Sequence, residues 1–166
     1  SSASKYWLAH AKKYCKEITN KLSLNNNSFV VEIASNDGYL LQNFVNSNIK
    51  CLGIEPTQNT ANEAMLKGVP TLVNFFTESL AEQFAQDNER ADLIIANNVL
   101  AHVPDINDFV SGFKKLLKEE GTITVEFPHL FELVKHNEFD TIYHEHYFYF
   151  SLYTLNIIFN KHDLSI

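Results

Sequence analysis

The densest chemistry in this sequence is Phe139-Asp140-Thr141-Ile142-Tyr143-His144-Glu145-His146-Tyr147. Tyr143, His144, Glu145 and His146 place two imidazoles, a carboxyl and a phenol in four consecutive residues. Imidazole titrates near neutral pH, so such a cluster suits general acid/base work. Two other readings stay open: a metal site using His144 and His146 on one side of an extended segment, or an aromatic-rich surface loop. No further ligand motif accompanies the two histidines, so no metal is expected. His102 is a lone histidine, a type that more often has a structural role.

A second set of residues has the spacing of a binding site. Glu32-Ile33-Ala34-Ser35-Asn36-Asp37-Gly38 runs from an apolar strand into a helix. Small residues at Ala34, Asn36 and Gly38 let backbone approach a ligand, and the N-terminus of the following helix favours a carboxylate. The G-x-G-x-x-G loop of dinucleotide sites is absent. Glu55 ends the next strand, where a carboxylate accepts from both hydroxyls of a ribose. Phe75 and Phe76 follow a third strand, and either one stacks a purine or packs in the core. Asn97-Asn98 leaves a fourth, strongly apolar strand and exposes two amides, with His102 on the turn beyond.

These residues need elements to hold them. Trp7, Ala11, Tyr14, Ile18 and Leu22 recur at helical spacing, which predicts an opening amphipathic helix. Apolar runs predict strands over 29–33, 51–55, 71–73, 92–96 and 122–126. Between them lie helices, one opening at Gly38 and others capped by Thr57, Thr77 and Asp105. Gly121 is expected to end the helix before the fifth strand. An irregular His- and Tyr-rich stretch follows, then a last helix from Ser151. Near-continuous apolar strands alternating with helices imply a parallel sheet covered on both faces, a doubly wound α/β fold. Ligands of such folds bind at the carboxyl ends of the strands, where the residues above fall.

Composition narrows the classes. The 166 residues, 45% hydrophobic, are one domain by size. The formal net charge is −7 and Arg90 is the only arginine, so no nucleic-acid partner is expected. No stretch approaches the roughly 20 apolar residues of a membrane span, so no membrane partner is expected either. Residues 1–13 lack the apolar run of a signal peptide. Cys15 and Cys51 form no CxxC, which fits two reduced thiols and a cytoplasmic location.

The loop over 32–38 resembles the E-x-G-x-G-x-G loop of class I methyltransferases, with Ala34 and Asn36 in place of two glycines. Taken together, EIASNDGYLL, GIEP, ADLIIANNVLAHV and FDTIYHEHYFYFS resemble the S-adenosylmethionine-dependent C-methyltransferases of nucleotide-linked deoxysugar biosynthesis. The resemblance covers nearly the whole chain. It implies a Rossmann-like domain over 1–166, S-adenosyl-L-methionine as cofactor, S-adenosylhomocysteine as product, and methylation beside the ketone of a nucleotide-linked 4-keto-deoxysugar through an enolate. It implies that His146 is the general base, that Tyr143, Glu145 and His102 line the reacting centre, and that Glu55, Phe76 and Asn98 hold the cofactor. His144 is the alternative base, and Glu32, Ala34, Asn36 and Gly38 complete the cofactor set.

Against the family pattern, an N-terminal cysteine-rich zinc domain has no counterpart here, and Tyr6 is the candidate for an early catalytic tyrosine. The sixth and seventh strands and a C-terminal substrate domain are expected to be missing. That leaves the fifth strand as an unpaired edge through which copies could associate. An O- or N-methyltransferase of another small molecule, and an inactive cofactor-binding module, are the rival functions.

Overall fold

The structure is a computed structural model that describes residues 5–166; residues 1–4, part of the reading of the N-terminus, and the side chain of Phe139 lie outside the described residues. The order is α1 (Lys5–Lys21), β1 (Phe29–Ile33), α2 (Gln42–Asn46), β2 (Lys50–Ile54), α3 (Gln58–Leu66), β3 (Thr71–Leu72), α4 (Glu78–Asp87), β4 (Ala91–Asn97), α5 (Ile106–Leu116), β5 (Leu117–Glu126), α6 (Leu130–His136) and α7 (Leu152–Lys161). Short 3-10 turns cover Leu100–His102 and Phe139–Thr141.

All strand pairs are parallel, in the order β3-β2-β1-β4-β5. The chain moves outward from β1 to β3, then returns to lay β4 on the other side of β1. Strand order therefore reverses between β1 and β4, the position at which doubly wound sheets open a crevice for ligands. The register pairs Ile33 with both Ile54 and Ala96, which sets the loops after β1, β2 and β4 level with one another.

Both faces of the sheet are covered, and this explains the uninterrupted apolar strands. On one face Ala11, Cys15 and Ile18 of α1 pack with Leu40, Leu41 and Phe44 against Val30, Leu93 and Ile95. On the other, Phe76, Phe109 and Phe113 form an aromatic core with α4, α5 and α7 over Val31 and Ile94. Their ring centroids lie 4.9–5.7 Å apart. Gly112 allows this approach, since a Cβ there would sit 2.8 Å from the Phe76 ring.

Thr77, Asp105 and Ser151 cap their helices through side-chain oxygens as expected. Four expectations differ from the structure. The helix expected from Gly38 begins only at Gln42: Gly38 itself is left-handed, and the chain after it turns through i→i−3 bonds, Asn43 N–H to the Leu40 carbonyl and Phe44 N–H to the Leu41 carbonyl. Thr57 makes no side-chain cap; the Glu55 carboxylate accepts its N–H instead. Gly121 does not end α5. The chain turns extended at Leu117, and Gly121 lies inside β5 at a register shift opposite β4, where a Cβ would meet Leu117 at 2.7 Å and the Ala91 carbonyl at 3.0 Å. Tyr14 and Leu22 pack against the core as the stripe of the first helix predicts, whereas Trp7 lies beyond it and is exposed.

Candidate functional site

A cavity of about 710 Å³ opens at the carboxyl ends of β1, β2 and β4. Its wall is built from the strand-end residues: Ala34 and Asn36 after β1, Glu55 after β2, Phe75 and Phe76 after β3, and Asn97, Asn98 and His102 at the end of β4 and beyond. Trp7 of α1 and Tyr39 close one side.

The loop after β1 keeps the conformation of a glycine loop with one glycine. Ala34, Asn36 and Gly38 have φ of 56°, 52° and 73°. Every second residue is thus left-handed, which explains why glycine at alternate positions suits this turn. Asn tolerates the conformation; at Ala34 it costs on the order of 1–2 kcal/mol. The Asn36 side chain donates to the Ala34 carbonyl at 3.0 Å and so supports the strained turn.

Glu55 ties two loops together. Its buried carboxylate accepts the Asn36 N–H at 3.1 Å and the Thr57 N–H at 2.9 Å, one on each oxygen. Each oxygen keeps a further lone pair. Phe76 lines the cavity while packing on Phe109 and Phe113, whereas Phe75 is 72% exposed.

Glu32 and Gly38, from the expected cofactor set, stand behind the wall and do not line the cavity. Glu32 is buried and its Oε2 has no hydrogen-bond partner among the described residues. Burial pushes its carboxyl well above the usual carboxylate range, and the charges of Asp37 and Glu55 add to the effect. Gly38 lets the loop lie against α3, for a Cβ there would meet Ala64 and Val69 at 3.0 Å. Lys67 holds the same loop from the end of α3, donating to the Asp37 carboxylate at 2.7 Å.

Asn98 is also left-handed, at φ 53°. Its backbone N–H donates to the Glu126 carbonyl at 2.7 Å and its side chain to the Glu126 carboxylate at 2.8 Å. His10 of α1 approaches the other Glu126 oxygen at 3.6 Å. Glu126 was missed as a site residue. The same strand-end rule that picks out Glu55 would have found it, since it closes β5.

The His-rich segment docks on the turn that carries His102. Tyr147 N–H donates to the Ala101 carbonyl at 2.8 Å, and His102 Nδ1 lies 3.0 Å from the Glu145 carbonyl. The His102 and His146 rings are 4.8 Å apart, and Tyr143 lies 4.3 Å from His146. His146 Nδ1 is 2.8 Å from the Thr141 carbonyl. A carbonyl only accepts, so both imidazoles carry the proton on Nδ1 when neutral and present a lone pair at Nε2. His102, Tyr143 and His146 therefore come together. His144 does not join them: its side chain is 89% exposed, 3.9 Å from the Glu145 carboxylate. Glu145 reaches the cluster through its backbone, not its carboxylate. Tyr6 is exposed, with its ring 6.4 Å from Trp7. Among the described residues, no three His, Cys, Asp or Glu side chains are grouped to hold a metal. Burial pushes the Cys15 thiol up to about 12 and Cys51 to about 11, so neither is a thiolate nucleophile at neutral pH.

With this geometry in place, similarity to known proteins is decisive at one level. The methyltransferase domain family matches residues 7–166. The chain belongs to that family. C-methyltransferase NovU of Streptomyces niveus is 36% identical over 159 residues, covering 96% of this chain and 38% of that protein. A ubiquinone biosynthesis O-methyltransferase of Bartonella quintana is 25% identical over 97 residues, 58% of this chain and 39% of that protein. The chain thus spans less than two fifths of the length of these curated relatives. Among solved structures, the YcgJ protein of Bacillus subtilis superposes with a TM-score of 0.71 at 18% identity, covering 93% of this chain and 68% of that one. That likeness concerns the fold, and it agrees with the Rossmann-like sheet described above.

S-Adenosylmethionine is the cofactor of this domain. The cavity fits such a molecule. Its volume lies within the 300–1,000 Å³ typical of small-molecule sites. Its wall combines a buried carboxylate with lone pairs to spare, an apolar aromatic side and a turn whose backbone is bare of bulky side chains.

Proposed function

We propose that this chain methylates the carbon next to the ketone of a nucleotide-linked 4-keto-deoxysugar, in the cytoplasm. The observation that carries the reading is the pairing of His146, with Nδ1 tied to a carbonyl and Nε2 open, against Tyr143 and the cavity-lining His102. The name of the 36% identical relative, a C-methyltransferase, supports the same chemistry.

In this reading Glu55 takes the ribose hydroxyls on its remaining lone pairs, and Phe76 faces the adenine. Ala34 and Asn36 cradle the chain of the cofactor, and Asn98 meets its amino-acid end. Glu32 and Gly38 support this wall from behind. When bound, S-adenosylmethionine supplies an electrophilic methyl group. His146 Nε2 takes the proton from the carbon beside the ketone. The Tyr143 hydroxyl donates to the oxygen that becomes the enolate. Neutral His102 accepts at Nε2 and cannot share that donor role; it donates there only once protonated. The remaining contribution of the protein is to hold the two reactants in line. His144 and the Glu145 carboxylate support the segment without touching the reacting atoms.

Copies of the chain associate, in the same reading, through the outer edge of β5, which has one neighbour in the described sheet. Among the described residues no helix is long and apolar enough to cross a membrane.

The test is product analysis. The protein is incubated with a nucleoside-diphospho-4-keto-6-deoxyhexose and methyl-labelled S-adenosylmethionine, and the product is examined by carbon NMR. A new carbon-bound methyl is expected. An oxygen-bound methyl would move the chain to the O-methyltransferase reading that the Bartonella relative represents. S-Adenosylhomocysteine binding without any product would leave a cofactor-binding module.

A further inference from the structure

α1 contributes a residue to the cavity that its helical pattern conceals. Trp7 stands four residues before Ala11, and Ala11, Cys15 and Ile18 are the buried residues of the helix. Residues spaced by four share a face. Trp7 is therefore on the core-facing stripe, one turn beyond the point where the core ends, and the stripe there meets the ligand cavity. The indole is edge-on to Tyr6 and to His10, with centroids 6.4 and 5.8 Å away. His10 in turn faces the Glu126 carboxylate that holds Asn98. The first turn of α1 is thus braced against the end of β5, beside Asn97 and Asn98.

The position selects which part of the cofactor Trp7 meets. Glu55 follows β2 and Asn97 ends β4, and β1 lies between them, so the two wall residues stand about 9–10 Å apart across the sheet. A ribose at Glu55 and an adenine at Phe76 send the rest of the molecule toward Asn97, Asn98 and Trp7. That part of S-adenosylmethionine carries the sulfonium cation, which the product lacks, beside an ammonium and a carboxylate that the product keeps. An indole face is the most favourable aromatic surface for a cation.

We propose that Trp7, on the braced first turn of α1, is a cofactor-binding residue that faces the cationic part of S-adenosylmethionine and discriminates it from the uncharged thioether of the product. The inference rests on the cofactor reading of the cavity.

Trp7 is the only tryptophan in the chain, so its emission is a reporter that does not depend on turnover. S-Adenosylmethionine and S-adenosylhomocysteine are titrated separately by fluorescence into wild type, and by calorimetry into wild type, Trp7→Phe and Trp7→Leu. Far-UV circular dichroism checks that each variant folds. Both ligands change the wild-type emission. Trp7→Leu weakens S-adenosylmethionine about fivefold or more and S-adenosylhomocysteine distinctly less, with Trp7→Phe in between. Equal weakening of both ligands, or unchanged affinity for both, overturns the proposal while leaving the cofactor reading intact. Failure of wild type to bind either ligand overturns the cofactor reading, and the proposal with it.

Discussion

The two halves of the site are held by different means. The wall made by β1, β2 and β4 rises straight out of the core. All five residues of β1 are buried, and Glu55 and Asp37 above it are buried polar groups with fixed partners. The segment over 127–150 lies on top. α6 buries none of its residues, and Phe131, Val134, Ile142, Tyr143 and Tyr147 are exposed. The two ends of the segment pack on the core, where Phe150 is buried and Phe127 and Phe148 lie against it. The histidine cluster between them is held by a few backbone contacts to the turn at His102, plus His129, which accepts the Phe131 N–H and lies 3.2 Å from the Leu152 N–H. The binding half is thus fixed by packing throughout, and the reacting residues, between two packed ends, by a few polar contacts. Stability and turnover should separate cleanly when the two halves are altered in turn.

The largest effect is expected in the reacting half, on rate alone. His146→Ala should lower single-turnover methyl transfer by about 10²–10⁴-fold, the usual range for a general base. Affinity for S-adenosylhomocysteine and the unfolding midpoint should stay near wild type. His144→Ala should cost far less. If the order of the two variants is reversed, the base has been misassigned; if both stay active, the segment is not the reacting centre.

A pair of phenylalanines separates the halves by stability. Phe113 is fully buried in the aromatic core, and Phe131 is 62% exposed on α6. Phe113→Ala should cost about 3–5 kcal/mol in urea unfolding. Phe131→Ala should stay within about 0.5 kcal/mol of wild type. A large loss from Phe131→Ala would show that the upper segment is part of the cooperative core.

A smaller effect is expected from Glu32, and it carries a sign. The raised carboxyl means the folded state holds a proton that the unfolded chain has released. Its contribution to stability is therefore complete below the unfolded value, about 4.3, and is lost as pH rises toward the folded one. Glu32→Gln cannot titrate, so the fall in stability above about pH 4.3 should be shallower in the variant. Unfolding curves across this window test it, and identical slopes would contradict a buried, protonated Glu32.

Legibility in sequence follows the same division. β1, β2 and β4 could be read because each is an apolar run largely buried on both faces, and the half-buried edge strands β3 and β5 because they are rich in Thr, Val and Ile. The caps at Thr77, Asp105 and Ser151 could be read because their oxygens meet nearby backbone N–H groups. Glu55 could be read from its place at a strand end. α6 could not, because its seven residues are too short for the apolar spacing of Leu130, Leu133 and Val134 to be told from an irregular apolar run. Gly121 misled because a glycine after a helix and a glycine at a strand irregularity look alike until the partner strand is in place. Trp7 hid in a stripe that continues past the core. The choice between His144 and His146 rested on resemblance alone; the carbonyls of Thr141 and Glu145 that fix Nδ1 of His146 and His102 are invisible until the segment folds back on itself.

The measurement closest to the central claim is calorimetric titration of S-adenosylhomocysteine into wild type and Glu55→Gln. Wild type should bind one equivalent. Glu55→Gln should lose about 1.5–3 kcal/mol, the range for a hydrogen bond to a charged group. Unchanged affinity in the variant would take Glu55 out of the site, and tight binding of NAD in place of S-adenosylhomocysteine would contradict the assignment of this cavity altogether.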